Sequence, residues 1–291
     1  MVVRIFILLM ALASPASYAL DANNASKEGP KTYHLYDDVY LVSAIKFFYD
    51  KKQIVIKAVY PQLQSEFNHQ TLDHFNEAIK QLVEEGKIYF KNKVDNTYAL
   101  PRKHNKNNLY IDYASSMVAN NKAHLLSIRL SFQGHIAGRG RPYHYHRVLN
   151  YDLDNDVVLN LADLFNPQAE YLDVFSQYTA TKLMQRLNNY AMVRTGTQPS
   201  EKNFMNWNIK PDGIMFTFED DQVAPNVYGA QMVVVPFSIL RDMISPDSAI
   251  GSCAQGKNKK RCLRKQLMTG GFIDEAINSS HSRFNPGFSL S

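Results

Sequence analysis

Apolar residues recur with two different periods along the first third of the chain. In KQIVIKAVYPQL, alternation through Ile54, Ile56 and Ala58 predicts a strand, and Pro61 is expected to end it because proline cannot donate to a strand ladder. The following HQTLDHFNEAIKQLVEEGK has helical spacing, with Gly86 at the expected C-terminal cap. The buried stripe of this helix is predicted at Leu72, Phe75, Ile79, Leu82 and Val83.

The middle of the chain alternates like a series of antiparallel hairpins. NLYIDYASSMVANNKAHLLSIRLSFQGHI predicts two strands joined at Asn120-Asn121, since asparagine tolerates a positive φ. HRVLNYDL is predicted to turn at Asp154-Asn155 into DVVLNLADLF. Farther along, Pro211-Asp212-Gly213 is a strong turn signal between two strands. The loop QVAPNVYGAQ then leads into the strand MVVVPF and a short helix, SILRDMI.

A second long helix is predicted from about residue 169 to 190, and its spacing places a buried face on Leu172, Phe175, Thr179, Leu183 and Leu187. The order of elements lacks the repeated βαβ alternation of doubly wound folds. We therefore predict an α+β fold, with antiparallel sheets and hairpins and two main helices packed on them. We divide it into an N-terminal strand–helix–hairpin subdomain (33–135), a C-terminal α+β subdomain (136–245), and a disulfide loop with a polar tail (246–291).

The N-terminal segment has the features of a secretory signal peptide. One cation, Arg4, precedes a short apolar run, and small residues at Ser17 and Ala19 suit a signal peptidase. We expect residues 1–19 to be removed by cleavage near Ala19, leaving a flexible lead-in at 20–32; the alternative is a buried N-terminal helix. No later segment is apolar enough for a membrane span. The mature protein is thus expected to be periplasmic or secreted.

The composition is that of a globular protein, with 45% hydrophobic and 20% charged residues. The formal net charge of +5 falls to +4 when Arg4 is lost with the signal peptide. This small excess permits weak affinity for acidic surfaces without implying it. No nucleic-acid-binding pattern occurs, so nucleic acid is not an expected partner.

Two cysteines, Cys253 and Cys262, lie close together near the C-terminal end. In an oxidising compartment such a pair is expected to form a disulfide, and closing so short a loop would contribute roughly 2.5–3 kcal/mol. A metal site would need histidines from elsewhere in the chain. The basic residues between the cysteines form either a solvated face or a small cationic contact for an anionic partner.

Motifs for the common enzymatic mechanisms are absent. There is no nucleophile elbow, phosphate-binding loop, dinucleotide fingerprint or zinc-protease motif. The acidic runs Asp37-Asp38 and Glu219-Asp220-Asp221 consist of sequence neighbours, which point to opposite faces of a strand, so we interpret them as solvated loops. We therefore predict a protein that is not an enzyme and has no cofactor.

The most unusual stretch of the sequence is GRGRPYHYH, residues 138–146. On a strand, His144 and His146 share one face, as two ligands of a zinc or copper site do. With His135 or Asp152 they suggest a small metal-dependent hydrolase as the alternative function. The other interpretation is a polar and aromatic binding surface, formed by Arg141, Tyr143, His144 and His146.

Several segments together resemble a family of paired bacterial extracytoplasmic domains of unknown function. The first domain is matched by IVIKAVYPQL, LDHFNEAIKQLV and LYIDYASSMVANNKAHLLSIRLSF. The second is matched by RVLNYDLDNDVVLNLADLF and NIKPDGIMFTFEDDQVAPNVYGAQMVVVPFSIL. Such domains form the extracellular region of the lysozyme-sensing anti-sigma factor RsiV and the N-terminal region of the peptidoglycan deacetylase PdaC. The resemblance covers roughly residues 50 to 243 and includes neither a sigma-binding segment nor a deacetylase domain.

The resemblance implies a non-enzymatic binding or sensing module whose partner is a cell-wall glycan or a glycan-acting, lysozyme-like protein. GRGRPYHYH departs from the family's usual segment before the YDL strand, so we expect it to carry this chain's own specificity. The family's late loop corresponds to residues 224–231, where Tyr228 and Gln231 are candidate ligand contacts. The hypothesis thus predicts that residues 138–146 and 224–231 line one cleft.

Overall fold

The structure is a computed structural model of the chain. The predicted signal peptide with its cleavage site near Ala19, most of the lead-in, Cys262 and the end of the tail lie outside the described residues. The structure describes residues 31–50, 54–67, 70–96, 106–120, 123–187, 190–254 and 263–268.

A large mixed sheet forms the first layer, and its strands β1 to β7 pair in chain order. Every one of these pairs is antiparallel except β3 with β4, which are parallel and are connected by helix α1. A further strand, β11, pairs antiparallel with β4, although its residues were predicted to form a polar tail. The bounds are β1 Thr32–Tyr36, β2 Val39–Asp50, β3 Ile54–Gln64, α1 Gln70–Asp95, β4 Asn107–Ala119, β5 His124–His135, β6 Tyr143–Asp152, β7 Val157–Val158 and β11 Leu263–Met268.

A small antiparallel sheet in the order β10-β9-β8 forms the second layer. The predicted α+β fold is confirmed, and so are the turns at Asp154-Asn155 and Pro211–Gly213. The predicted second helix is shorter than expected, since α2 ends at Met184, and a separate helix, α3, begins at Tyr190, where the prediction ended. The bounds are α2 Tyr171–Met184, α3 Tyr190–Gly196, β8 Trp207–Lys210, β9 Gly213–Phe218, β10 Gln231–Pro236, α4 Phe237–Leu240 and α5 Gly251–Ala254.

Two predicted element ends are wrong. Pro61 lies inside β3, which continues to Gln64. Proline is tolerated there because the pairing of β3 with β4 ends at Ala58, so beyond that residue β3 pairs only with β2. Gly86 lies inside α1, which continues to Asp95. A Cβ at Gly86 would come within 2.0 Å of Cε1 of Phe132, so this glycine lets α1 approach β5 closely.

Each layer has its own hydrophobic core. The predicted stripe of α1 packs on one face of the large sheet, where Phe75, Ile79 and Phe132 are fully buried. The second core lies between the small sheet and α2, around Phe175 and Phe216. The large sheet runs across the predicted boundary between residues 135 and 136, because β6 pairs with β5 along its whole length.

Buried hydrogen bonds between polar residues connect the small sheet to the large one. The Ser127 hydroxyl of β5 accepts hydrogen bonds from the Asn208 amide and the Ile209 backbone N–H of β8, both at 3.0 Å. The Asn150 amide of β6 donates to the Trp207 carbonyl at 2.9 Å. Ser127 alternates with the residues of β5 that face α1, so the small sheet covers the opposite face of the large sheet. It covers one end of that face, near Ser127.

Candidate functional site

The candidate site lies at the border where the small sheet stops covering the large one. His146 of β6 points to this face and is held by Glu219, which directly follows β9. Glu219 Oε1 accepts the backbone N–H of His146 at 2.8 Å, and Oε2 lies 2.9 Å from the ring Nδ1. The Asn206 amide also donates to Oε1, at 2.7 Å. His146 is only 9% exposed and the Glu219 side chain is 26% exposed, so this pair is a partly buried link between the two sheets.

His144 shares this face with His146, as predicted, and pairs with the next carboxylate. Its Nδ1 lies 3.4 Å from Oδ2 of Asp220, and its side chain remains 38% exposed. Burial raises the pKa of Asp220, while the neighbouring histidines oppose the shift. Oδ1 of Asp220 is buried and has no hydrogen-bond partner among the described residues. The site therefore combines two imidazoles with two carboxylates.

The interpretation of Glu219-Asp220-Asp221 as a solvated loop is thus wrong for its first two residues. Glu219 and Asp220 pair with the histidines because both follow the end of β9, at the border of the sheets. Glu219 and His146 are 73 residues apart, so no local spacing in the sequence relates them. Asp221 instead shapes the loop, since its Oδ1 accepts the backbone N–H of Asn226 at 2.8 Å.

The two segments expected to share a cleft meet at one contact. Nη1 of Arg141 donates to Oδ1 of Asn226 at 3.1 Å. Beside this contact, the Tyr228 side chain is 57% exposed. The Gln231 amide is used within the loop, where it donates to the carbonyls of Tyr228 and Gly229 at 2.9 and 3.2 Å. Gln231 therefore shapes the turn, and Tyr228 is the exposed residue of the predicted pair.

Tyr143 lies on the other face of β6, away from the histidines. It packs over Gly134 and against α1, with its ring 6.3 Å from that of Phe90. Tyr145 shares this face and stacks on Phe132 at 4.6 Å. Burial raises the pKa of Tyr143. The structure therefore does not bring Tyr143 together with Arg141, His144 and His146.

The metal hypothesis gains no support from this geometry. Within the described ranges, no group of three or more His, Cys, Asp or Glu side chains is arranged to hold a metal ion. His135 is exposed at the end of β5. Asp152 caps a turn, since its Oδ1 accepts the backbone N–H groups of Asp154 and Asn155, each at 3.1 Å. Neither residue supplies the missing ligand.

Two further predictions concern the C-terminal end and the membrane. Cys253 is 2% exposed in α5. Since Cys262 lies outside the described residues, the disulfide stays a prediction. In the part of the chain that the structure describes, none of the helices has the length and apolarity needed to cross a membrane.

The fold and the site define an α+β domain with a polar border site and, among the described residues, no assembled metal site. Residues 162–238, from the turn before α2 into α4, match the model of the family described as "Protein of unknown function (DUF3298)". This part of the chain is therefore similar to a domain of unknown function, and together with the similarity to PdaC it confirms the resemblance seen in the sequence.

The chain is 26% identical over 204 residues to the peptidoglycan-N-acetylmuramic acid deacetylase PdaC of Bacillus subtilis. The match covers 69% of this chain, and the chain spans 40% of the length of that relative. A crystal structure of a DUF3298 family member from Bacteroides fragilis has a TM-score of 0.49 at 14% identity, covering 75% of this chain and 97% of that one. One from Pseudomonas aeruginosa has a TM-score of 0.43 at 14% identity, with coverages of 72% and 94%.

Proposed function

We propose that this protein is a non-enzymatic, extracytoplasmic module that binds a cell-wall glycan at the border of its two sheets. The observation that carries the proposal is that residues 141–146 contact residues 219–226. The contacts are Arg141 with Asn226, His144 with Asp220, and His146 with Glu219. A surface built from two segments in this way is typical of a binding site carried on a rigid scaffold.

The chemistry of the border suits sugar hydroxyl groups. Arg141 and His144 offer hydrogen-bond donors that solvent reaches. The exposed Tyr228, two residues after the Asn226 that Arg141 contacts, offers an apolar ring face on the same loop. The similarity to PdaC, a protein whose name specifies action on peptidoglycan, supports a cell-wall ligand. The predicted signal peptide supports a location where that ligand is present.

A binding role is favoured over catalysis by the way in which His146 is held. Its backbone and its Nδ1 are both engaged by Glu219, and the ring is almost fully buried. This arrangement positions the residue as a structural link between the sheets. It leaves His144 as the accessible imidazole of the pair.

The test is a binding measurement on the purified protein without residues 1–19. Retention on peptidoglycan sacculi and calorimetric titration with N-acetylglucosamine oligomers are expected to show binding. Arg141→Ala and His144→Ala are expected to weaken it at least fivefold, whereas Arg241→Ala, at an exposed cation after α4, serves as the matched control.

Binding to immobilised lysozyme tests the alternative, that the partner is a protein. Retention of the protein on immobilised lysozyme, without retention on sacculi or oligomers, would overturn the glycan proposal in favour of a protein partner. Failure to bind any of the three would remove the binding function altogether.

A further inference from the structure

Beyond the border site, the face of the large sheet opposite α1 has exposed or half-buried side chains over β2 from Ile45 to Tyr49, over β3 up to Val59, over the first part of β4, and at Gln133 and His135 of β5. The alternation of β-strands assigns residues to this open face, because their sequence neighbours pack under α1. Ile56, Leu109 and Phe132, for example, face α1 and are fully buried. The open face itself is formed by Ile45, Phe47, Tyr49, Val55, Lys57, Val59, Asn108, Tyr110, Asp112, Gln133 and His135, with the buried Ser131 at its edge.

Large apolar side chains are exposed on this face to an unusual degree. The exposed fractions are 55% for Phe47, 75% for Tyr49 and 53% for Tyr110, and Ile45 is 44% exposed. Single exposed apolar residues are ordinary, but a contiguous group on one sheet face marks an interaction surface. The group is contiguous because these residues occupy neighbouring strands in register.

The strand register connects the open face directly to the border site. Phe47 lies opposite Lys57, and Lys57 lies opposite Tyr110. Tyr110 in turn lies opposite Gln133, which lies opposite His144. The next row runs from Asp112 through Ser131 to His146. A ligand lying across the strands would therefore pass without interruption from β2 to the border.

We infer that the open face is a platform for an extended, uncharged glycan chain that crosses the strands from β2 to the border site. This inference rests on the proposed function and adds the class and the length of the ligand. Along the row from Phe47 to His144, aromatic side chains alternate with hydrogen-bonding ones. Sugar rings present both apolar faces and hydroxyl groups, so this alternation suits them.

The charges of the face select an uncharged polymer. In its central part, the negative charge of Asp112 interacts with the positive charges of Lys57 and of Lys31, the residue before β1, so the net charge is small. Such a face lacks the excess of cations that a nucleic acid or another polyanion needs. The Ser131 hydroxyl, 4% exposed and with no hydrogen-bond partner among the described residues, lies in register between Asp112 and His146. Because it is buried, Ser131 marks the edge of the open face and is not itself a contact for the ligand.

The dimensions of the platform predict a dependence on glycan length. Five strands, from β2 to β6, span about 19 Å at the usual spacing between strands. This distance accommodates several linked sugar rings, whereas a disaccharide reaches only part of it. Affinity is therefore expected to rise with the number of rings until the platform is filled.

The experiment is a calorimetric titration of the full mature chain with N-acetylglucosamine oligomers, from dimer to hexamer. The wild-type protein is expected to bind the hexamer at least tenfold more tightly than the dimer. Phe47→Ala and Tyr110→Ala are expected to weaken hexamer binding about five- to tenfold and to leave dimer binding nearly unchanged. Tyr89→Ala removes a tyrosine of similar exposure from α1, on the other face of the sheet, and serves as the control.

The outcomes separate this inference from the proposed function. If the wild type binds no oligomer and no sacculi, the proposed function fails. If it binds them with no dependence on length, and both platform variants bind like the wild type, only the platform is overturned. The platform is also overturned if sedimentation shows a dimer that Phe47→Ala and Tyr110→Ala dissociate, because its occupant is then a second copy of the chain.

Discussion

Glu219 contacts His146 through both of its carboxylate oxygens. One lies 2.8 Å from the backbone nitrogen of His146, and the other lies 2.9 Å from the ring Nδ1. Because Glu219 directly follows β9 of the small sheet and His146 lies in β6 of the large one, this single side chain links the two sheets. It also orders the border on which the proposed binding site depends.

Replacing Glu219 is expected to weaken the whole fold. Glu219→Ala removes the acceptor of three donors, two of them on the buried His146, and should cost about 2 kcal/mol or more of unfolding free energy. Glu219→Gln keeps one acceptor oxygen and should cost less. Urea unfolding measures both. The control is Glu77→Ala, which breaks an exposed ion pair with Lys80 and is expected to cost about 0.5 kcal/mol or less. Equal effects of Glu219→Ala and Glu77→Ala would contradict the assigned role.

The two histidines are expected to respond differently to substitution. His144 is substantially exposed, so His144→Ala should weaken glycan binding and change the unfolding free energy by about 0.5 kcal/mol or less. His146→Ala removes a buried ring and leaves the half-buried Glu219 without its ring partner, and it should cost about 1–2 kcal/mol. Urea unfolding and titration with the glycan hexamer, run in parallel on both variants, separate the two effects. A stability loss confined to His144→Ala would reverse the assignment.

Gly86 is expected to be irreplaceable even by alanine, the best helix former. A Cβ would lie 2.0 Å from Cε1 of Phe132, inside a fully buried contact. The overpacking cost of about 1–3 kcal/mol exceeds the gain in helix propensity of up to about 1 kcal/mol. Thermal unfolding should show a lower Tm for Gly86→Ala, whereas Gly140→Ala, which has nothing within 4 Å, should leave it unchanged. An increase in Tm for Gly86→Ala would show that α1 can move away from β5.

Asp112 is expected to make stability depend on pH. Burial raises its pKa from 3.8 to about 6, although the Tyr113 backbone N–H and the Lys57 and Lys31 charges oppose the shift. The folded state thus binds the proton more tightly than the unfolded state does, and stability falls as the pH rises from about 4 to about 6. At neutral pH the cost of the buried charge is on the order of 2–3 kcal/mol.

Asp112→Asn removes this ionisation, so the variant should be more stable than the wild type at pH 7 and should lose the advantage near pH 4. Urea midpoints at several pH values measure the difference. A difference between variant and wild type that does not change with pH would exclude Asp112 as the cause.

The positions of Tyr143 and the two histidines show what the alternation of residues along a strand can predict and what it cannot. The alternation that places His144 and His146 on one face of β6 also places Tyr143 on the other. The grouping of Tyr143 with the histidines could therefore have been corrected from the sequence. No similar pattern identifies Glu219 and Asp220, because their partners lie more than 70 residues earlier in the chain. The parallel pairing of β3 with β4 could not be predicted either, because the residues of a strand do not indicate the direction of the strand beside it.

Residue periodicity and turn chemistry are sufficient for the α+β class, the stripe of α1 and the hairpins at Asp154-Asn155 and Pro211–Gly213, since each depends on neighbours within a few residues. The role of Gly86, the partners of the two histidines and the part of the large sheet that no described residue covers depend on contacts between distant segments of the chain. Such contacts form only when the layers pack. The burial of a side chain and the pairing of its charge depend on how the layers pack. Packing is therefore the reason that Glu219 and Asp220, which were expected in a solvated loop, form half of the candidate site.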